Sequence, residues 1–349
     1  MTRAAFLTHL AFAAGLFGLS VALTRLMLHQ VRIMDMPNQR SSHQSPTPKS
    51  GGISLVCTFL VGAAVIFFVG EETRIREDYF IGFVFSAVLV AGISLYDDIT
   101  RRSFPAKLGT QLLAVFLVLA FGIVVDQLTF PYFKIVALGW WGYPLSFLWI
   151  IGLTNAYNFM DGLDGLAGGV AVIVSAFFCA ITFSQGSNFV YITCYALLAG
   201  ALGFLVYNFP PARIFMGDVG SAFLGFAFAV LAIIAARYDR SHTSFLVMPL
   251  LLFNFVYDAF FTFIRRLLRG ERVLEGHRTH LYQLLNRTGW SHRAVSLFHY
   301  GVCVLQGIAA IWMVNIIGGQ RMLVFLPFLA FQVIYTIVVI RRAREAKLL

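Results

Sequence analysis

Eleven apolar stretches, each long enough to cross a hydrocarbon core about 30 Å thick, constrain this chain more than any other feature. They run at about 5 to 29, 51 to 70, 79 to 96, 106 to 125, 144 to 160, 168 to 184, 190 to 208, 220 to 237, 245 to 264, 294 to 314 and 322 to 341. Of the 349 residues, 59% are apolar and only 12% charged, which excludes an ordinary soluble globular domain. In lipid each backbone N–H and C=O has to find its partner within the segment, and only helices or closed barrels achieve that. The expected fold is therefore an all-α integral membrane protein: a polytopic bundle of about 11 transmembrane helices, in one domain spanning residues 1-349. The first stretch is too long for a cleaved secretion signal and Arg25 interrupts its end, so it counts as a membrane helix. Cys57, Cys179, Cys194 and Cys303 fall inside apolar segments without paired or metal-type spacing, which predicts core packing and no disulfide.

Lys and Arg in the connections set the orientation. With the N-terminus outside, the inner connections carry eighteen of them against seven outside. The C-terminus is then cytoplasmic, and so are the polar loops 30-50, 97-106, 161-167, 209-219 and 265-293. The formal net charge of +10 follows from this bias. No nucleic-acid motif accompanies it, so no nucleic-acid partner is expected.

Polar residues interrupt the apolar runs at those inner ends. In NAYNFMDGLDGLAGG, residues 155 to 169, steps of three place Asn155, Asn158 and Asp161 on an arc of about 120°. Gly162, Gly165, Gly168 and Gly169 then break the helix and would let backbone approach a ligand; the same residues also suit a polar cap and turn. In LYDDITRRSFPAKLGTQ, residues 95 to 111, Asp97 and Asp98 point about 100° apart, so they cannot form a matched dyad. Arg101, Arg102 and Lys107 follow them, as they would in any solvated inner loop. In YNFPPARIFMGDVGSAFLG, residues 207 to 225, Asn208 ends a helix, Pro210 and Pro211 forbid its continuation, and Asp218 arrives between Gly217 and Gly220 at the start of the next. In GERVLEGHRTHLYQLLNRTGWSH, residues 270 to 292, His277 and His280 would share a helix face beside Arg278 and Gln283. Zinc is disfavoured, because no further His or Cys cluster completes a tetrahedral site. Phosphate recognition or a basic helix on lipid headgroups both fit. The segment DMPNQRSSHQSPTPKSGG, residues 35 to 52, adds Arg40, His43 and Lys49 on a polar loop.

Three acidic clusters and one His/Arg cluster on a single membrane face point to a metal-bound, multiply charged phosphate substrate, since Mg²⁺ takes a few carboxylates plus phosphate oxygens. The rival is a transporter of an anionic solute using intramembrane carboxylates. It predicts charges near the midplane and two repeated halves; here the carboxylates stand at helix ends and no repeat is found.

In order, the motifs DxPNxRSSHxxPTPxxGG, Asp-Asp followed by KLxxQ, NxxNxxDGLDGL, NFxPAxIFMGDxGSxFLG and HRxHLYQ resemble the polyprenyl-phosphate N-acetylhexosamine-1-phosphate transferases of glycosyltransferase family 4. The HRTHLYQ form resembles the branch that initiates O-antigen and related surface polysaccharides; the peptidoglycan branch carries consecutive His there and a Lys at the position of Arg101. The resemblance implies transfer of a sugar 1-phosphate from a UDP-N-acetylhexosamine to undecaprenyl phosphate in the bacterial inner membrane, releasing UMP at the cytoplasmic face. It implies Mg²⁺, replaceable by Mn²⁺, on Asp218 with Asp161. It implies that Asp97 and Asp98 position or deprotonate the lipid phosphate, and that Asn155, Asn158, Asp161 and Asp164 hold the nucleotide sugar and support the metal. Asn208, Lys107, Arg101, Arg40 and His43, with His277, Arg278 and His280, complete the expected substrate contacts. A homodimer is compatible with all of this.

Overall fold

Helices occupy the places of all eleven apolar stretches. The structure, a computed structural model, describes residues 3–31, 33–37, 45–70, 73, 75–100, 104–129, 135–273, 275–316 and 318–349. In chain order the helices are α1 (Arg3–Gln30), α2 (Gly51–Val69), α3 (Glu77–Thr100), α4 (Phe104–Ala120), α5 (Gly142–Phe159), α6 (Leu166–Ser184), α7 (Val190–Asn208), α8 (Gly217–Arg237), α9 (Val247–Leu251), α10 (Phe253–Leu268), α11 (Leu281–Arg287), α12 (His292–Val314) and α13 (Phe325–Glu345). Among the described residues, eight helices are long and apolar enough to cross a membrane: α1, α2, α3, α6, α7, α8, α12 and α13. The shorter or more polar α4, α5 and α10 fill the remaining three expected positions.

The stretch at 245 to 264 is not one continuous helix. It breaks at Leu252, between α9 and α10. The side-chain amide of Gln306 on α12 fits the break, its nitrogen 3.2 Å from the Leu251 carbonyl and its oxygen 3.2 Å from the Asn254 N–H. A side chain inserted into the ladder replaces the backbone bonds that the break removes, which is the condition for irregular backbone at membrane depth. The fold is also not purely helical. Strands β1 (Met34–Asp35) and β2 (Thr47–Pro48) pair antiparallel, as do β3 (Gln127–Thr129) and β4 (Ile135–Ala137). Nor do all four cysteines pack in the core: Cys194 and Cys303 are buried, but Cys57 is exposed on the outer flank of α2.

Helix α8 lies at the centre, against α2, α3 and α5. Small residues make this possible. A Cβ on Gly52 would stand 2.3 Å from the Gly220 nitrogen, and one on Gly225 2.8 Å from the Leu153 carbonyl, so α2 and α5 approach α8 at backbone contact. The start of α2 is tied to the segment before α8 by backbone bonds: Phe215 N–H to Pro48 O (2.7 Å), Gly51 N–H to Phe215 O (3.0 Å) and Gly52 N–H to Met216 O (2.8 Å). The ends of α2, α3, α5 and α8 therefore meet at one face of the bundle.

Candidate active site

Asp98 stands in the last turn of α3 and Asp218 in the first turn of α8, where the helix dipole favours a negative charge. Asp98 is buried. Its Oδ1 accepts from Lys49 Nζ at 2.8 Å and its Oδ2 from the Val219 N–H at 3.2 Å. Gly217 lets the chain turn here, at φ +69°, a conformation L side chains rarely adopt; a Cβ would also stand 2.4 Å from the Lys49 carbonyl and 2.8 Å from Asp98 Oδ2. Asn158, near the end of α5, donates through Nδ2 to Asp218 Oδ1 (2.8 Å) and to Ser221 Oγ (2.7 Å). Residues from four separate motifs thus converge: Lys49, Asp98, Asn158 and Asp218. Asp97, half-buried, precedes Asp98 on α3.

The expected arc of Asn155, Asn158 and Asp161 extends only to Asn158, because α5 ends at Phe159. Asp161 lies in the turn beyond, half-buried. Burial, and then the carboxylates of Asp218, Asp98 and Asp164, push its carboxyl well above the usual carboxylate range. Asn155, one turn back from Asn158, donates to Gln111 Oε1 and to the Ile151 carbonyl, each at 2.8 Å.

The DGLDG turn is held from two sides. Asp164 Oδ2 accepts from the Ala212 N–H at 3.0 Å, and Oδ1 lies 3.1 Å from His292 Nδ1. On α12, His292, Ser296 and Tyr300 recur every four residues and so form one ridge. Ser296 Oγ donates to the Asp164 carbonyl at 2.8 Å and the Tyr300 hydroxyl to the Gly165 carbonyl. Asn208 is buried, its Oδ1 accepting from Gly165 N–H (3.1 Å) and its Nδ2 donating to Ile214 O (2.9 Å). The side chain thus fastens one motif to another. The glycines, too, are packed against protein rather than left for a ligand. A Cβ on Gly162 would stand 2.2 Å from the Tyr282 hydroxyl, one on Gly165 2.8 Å from Pro210 and one on Gly169 2.0 Å from the Tyr300 ring, while Gly168 faces Asn208 at 3.2 Å.

His277 and His280 do meet, but not by helical spacing, since α11 begins only at Leu281. Their rings stack with centroids 4.8 Å apart. Buried Asp258 organises this end of the loop, accepting from the Leu281 and Tyr282 N–H groups at 2.9 and 3.0 Å and standing 3.1 Å from His280 Nδ1. The Tyr282 hydroxyl donates to the Phe159 carbonyl at 2.8 Å and docks α11 beneath the end of α5. Arg265 Nη2 donates to the Thr279 carbonyl at 2.6 Å, and Arg266 bonds the Arg272 and Glu275 carbonyls at 2.7 and 3.0 Å. Burial, with the charges of His280, Arg266 and Arg265, pushes the His277 imidazole down to about 3. It is neutral at physiological pH, and its Nδ1 lies 3.3 Å from the Thr279 N–H. Arg278 is half-buried beside it.

Arg40, His43, Arg101 and the side chain of Lys107 lie outside the described residues. Gln111, Ser221, Asp258 and the α12 ridge were not singled out from the sequence, and Lys49 only as one of three basic residues on a polar loop. An isolated carboxylate in an apolar run is the signal that would have found Asp258; Lys49 stands two residues before the Gly pair that starts α2.

Among the described residues no three or more His, Cys, Asp or Glu side chains come close enough to form a complete metal cage. Mg²⁺ rarely uses one; it takes one or two carboxylates and completes its shell with water and substrate phosphate. Asp218 and Asp161 offer carboxylate oxygens without a Cys or His partner set, the donor type that ion takes and a structural zinc does not.

The sequence profile described as glycosyl transferase family 4 matches residues 80–236. A probable undecaprenyl-phosphate N-acetylglucosaminyl 1-phosphate transferase of Bacillus subtilis is 33% identical over 287 residues, 81% of this chain and 77% of the relative. A decaprenyl-phosphate N-acetylglucosaminephosphotransferase of Mycobacterium leprae is 29% identical, over 83% of this chain and 77% of the relative. A phospho-N-acetylmuramoyl-pentapeptide-transferase of Listeria welshimeri is 28% identical, over 81% of this chain and 88% of the relative.

Proposed function

The chain belongs to the polyprenyl-phosphate N-acetylhexosamine-1-phosphate transferase family, and from that premise we propose that it passes N-acetylhexosamine 1-phosphate from a UDP-sugar directly to undecaprenyl phosphate, releasing UMP. The product initiates a lipid-linked O-antigen or related surface polysaccharide at the cytoplasmic face of the bacterial inner membrane. The observation that carries this reading is the convergence of Lys49, Asp98, Asn158 and Asp218 at the ends of membrane helices, where a phosphate on a lipid tail and a water-soluble nucleotide can meet. The HRTHLYQ segment and the inner bias of Lys and Arg support the pathway and the sidedness.

A phosphate attacking a diphosphate meets charge repulsion, so the work of the site is alignment and neutralisation. Asp218, with Asp161, would hold Mg²⁺, which when bound supplies Lewis-acid neutralisation of diphosphate oxygens. Asn158 fixes the Asp218 carboxylate through a side-chain amide, and Ser221 fixes Asn158 in turn. Asp97 orients or deprotonates the lipid phosphate. Arg278 contributes positive charge to the diphosphate, while His277, being neutral, contributes a hydrogen bond. The lipid phosphate is itself a charged nucleophile, so a covalent aspartyl intermediate would add a step without need.

Purified protein in detergent, given undecaprenyl phosphate, Mg²⁺ and a panel of UDP-sugars, is expected to release UMP with at least one UDP-N-acetylhexosamine. No UMP from any of them would overturn the reading. A transporter needs a sealed membrane; this reaction does not.

A further inference from the structure

Gln111 and Asn155 leave one donor and one acceptor without a partner inside a membrane bundle. Gln111 on α4 is buried, and Asn155 faces it from α5. The orientation of both amides is determined. The Ile151 carbonyl can only accept, so Asn155 must turn Nδ2 toward it; the same Nδ2 then faces Gln111 Oε1. What remains is Gln111 Nε2 and Asn155 Oδ1, both closed to water and both unsatisfied. Such groups are rare in folded proteins, because leaving a buried donor or acceptor unmade is costlier than never burying it. The pair is not remote from the chemistry. Asn155 is half-buried and shares a face of α5 with Asn158, which holds Asp218 one helical turn nearer the end of the helix.

We propose that Gln111 and Asn155 form an uncharged subsite that reads the acetamido group of the donor sugar. A phosphate only accepts, so it would satisfy Gln111 Nε2 and leave Asn155 Oδ1 unpaired. A secondary amide carries one carbonyl and one N–H, so it can accept from Gln111 Nε2 and donate to Asn155 Oδ1 at once. A sugar hydroxyl can also both donate and accept, and is the competing source of the same chemistry. The inference rests on the proposed transfer reaction and names the feature by which the site would select its sugar.

The test compares wild type with Gln111→Met and Asn155→Leu, which keep bulk and remove the donor or the acceptor. For each protein, KM and kcat are measured with UDP-N-acetylglucosamine, UDP-N-acetylgalactosamine and UDP-glucose, and Kd with UDP alone. The expected result is a KM for both acetamido sugars raised about tenfold, the loss of roughly one neutral hydrogen bond. Preference over UDP-glucose should shrink by the same factor, while UDP binds as in wild type. Unchanged UDP binding also shows that each variant is folded; a variant that misfolds is replaced by Gln111→Glu or Asn155→Ala, which likewise remove the Nε2 donor or the Oδ1 acceptor. Discrimination against UDP-glucose unchanged in folded variants overturns the subsite. So does a split between the C4 epimers with no change against UDP-glucose, which would assign the pair to a ring hydroxyl, and so does a change confined to the KM for lipid phosphate. If wild type itself turns over none of the three sugars, it is the transfer reaction that fails.

Discussion

Asp98 and Asp218 on one side of the site, and Asp164 on the other, are carboxylates at helix ends held in different ways. Asp98 and Asp218 are gripped by side chains from distant motifs, Lys49 and Asn158, with one backbone bond besides, from the Val219 N–H to Asp98. Asp164 is gripped by the Ala212 N–H and by the α12 ridge, which also holds its own carbonyl and that of Gly165. Long side chains can exchange one partner for another when a charged ligand arrives. Backbone bonds and a helix ridge cannot, without moving the chain. The first region is held largely by partners that a ligand can displace and the second by the backbone around the DGLDG turn, although the sequence shows the same residue type in both.

The widest separation between the regions is expected in turnover. Asp218→Asn should insert and fold but lose on the order of 10³-fold or more in kcat, because the amide keeps the shape and removes the anionic ligand. Asp164→Asn should lose at most about 100-fold, with the larger part of its effect on thermal stability. The reverse order in a detergent assay breaks the comparison. Next comes Lys49→Met, which leaves Asp98 buried without its cation. It is expected to cost about 3 kcal/mol in unfolding free energy, and Lys49→Met combined with Asp98→Asn should recover much of that in a double-mutant cycle. Strict additivity would show that the pair is not coupled. On the scaffold side, Ser296→Ala and Tyr300→Phe each remove one bond to a backbone carbonyl, worth about 1 kcal/mol, and should lower kcat/KM by no more than about tenfold. A collapse of activity in either would move the ridge into the chemical region.

The smallest effect is in pH. The folded pKa of His277, about 3, lies below its ordinary 6.5, so the unfolded chain binds the proton more readily. Its contribution to stability is present above about pH 6.5 and declines as pH falls toward 3. Limited proteolysis within 270–280 should therefore accelerate through that window in wild type. It should do so less in His277→Gln, and identical acid profiles would refute the assignment.

Much of this was legible beforehand, for reasons that also mark the limits. Membrane depth imposes length and apolarity, so the eleven stretches become helices nearly at their expected bounds; α7 at Val190–Asn208 is one case. Hydropathy does not say what a helix faces. Helices α1 and α8 are both apolar enough to cross a membrane, yet 11% of the apolar stretch of one is buried and 94% of the other. The small residues of α8 and its partner glycines carry that information. The break at Leu252 depends on Gln306, 54 residues away in sequence, and the partners of Asn208 and Asp258 are backbone groups that no spacing rule identifies. The acidic motifs announced a site but not what each carboxylate touches, because the fold sets the partners and residue type does not.

The central claim is that these carboxylates bind and orient, and that none becomes covalently phosphorylated. The direct test is exchange of radiolabelled UMP into a UDP-N-acetylhexosamine that the enzyme uses, with Mg²⁺ and protein stripped of co-purified undecaprenyl phosphate. A double displacement forms its intermediate and releases UMP without lipid, so it can run backward and exchange the label; direct transfer cannot do so until lipid-linked sugar exists. The account predicts no exchange above background until undecaprenyl phosphate is added, and then exchange at a rate comparable to turnover. Sustained lipid-independent exchange at that rate would contradict it.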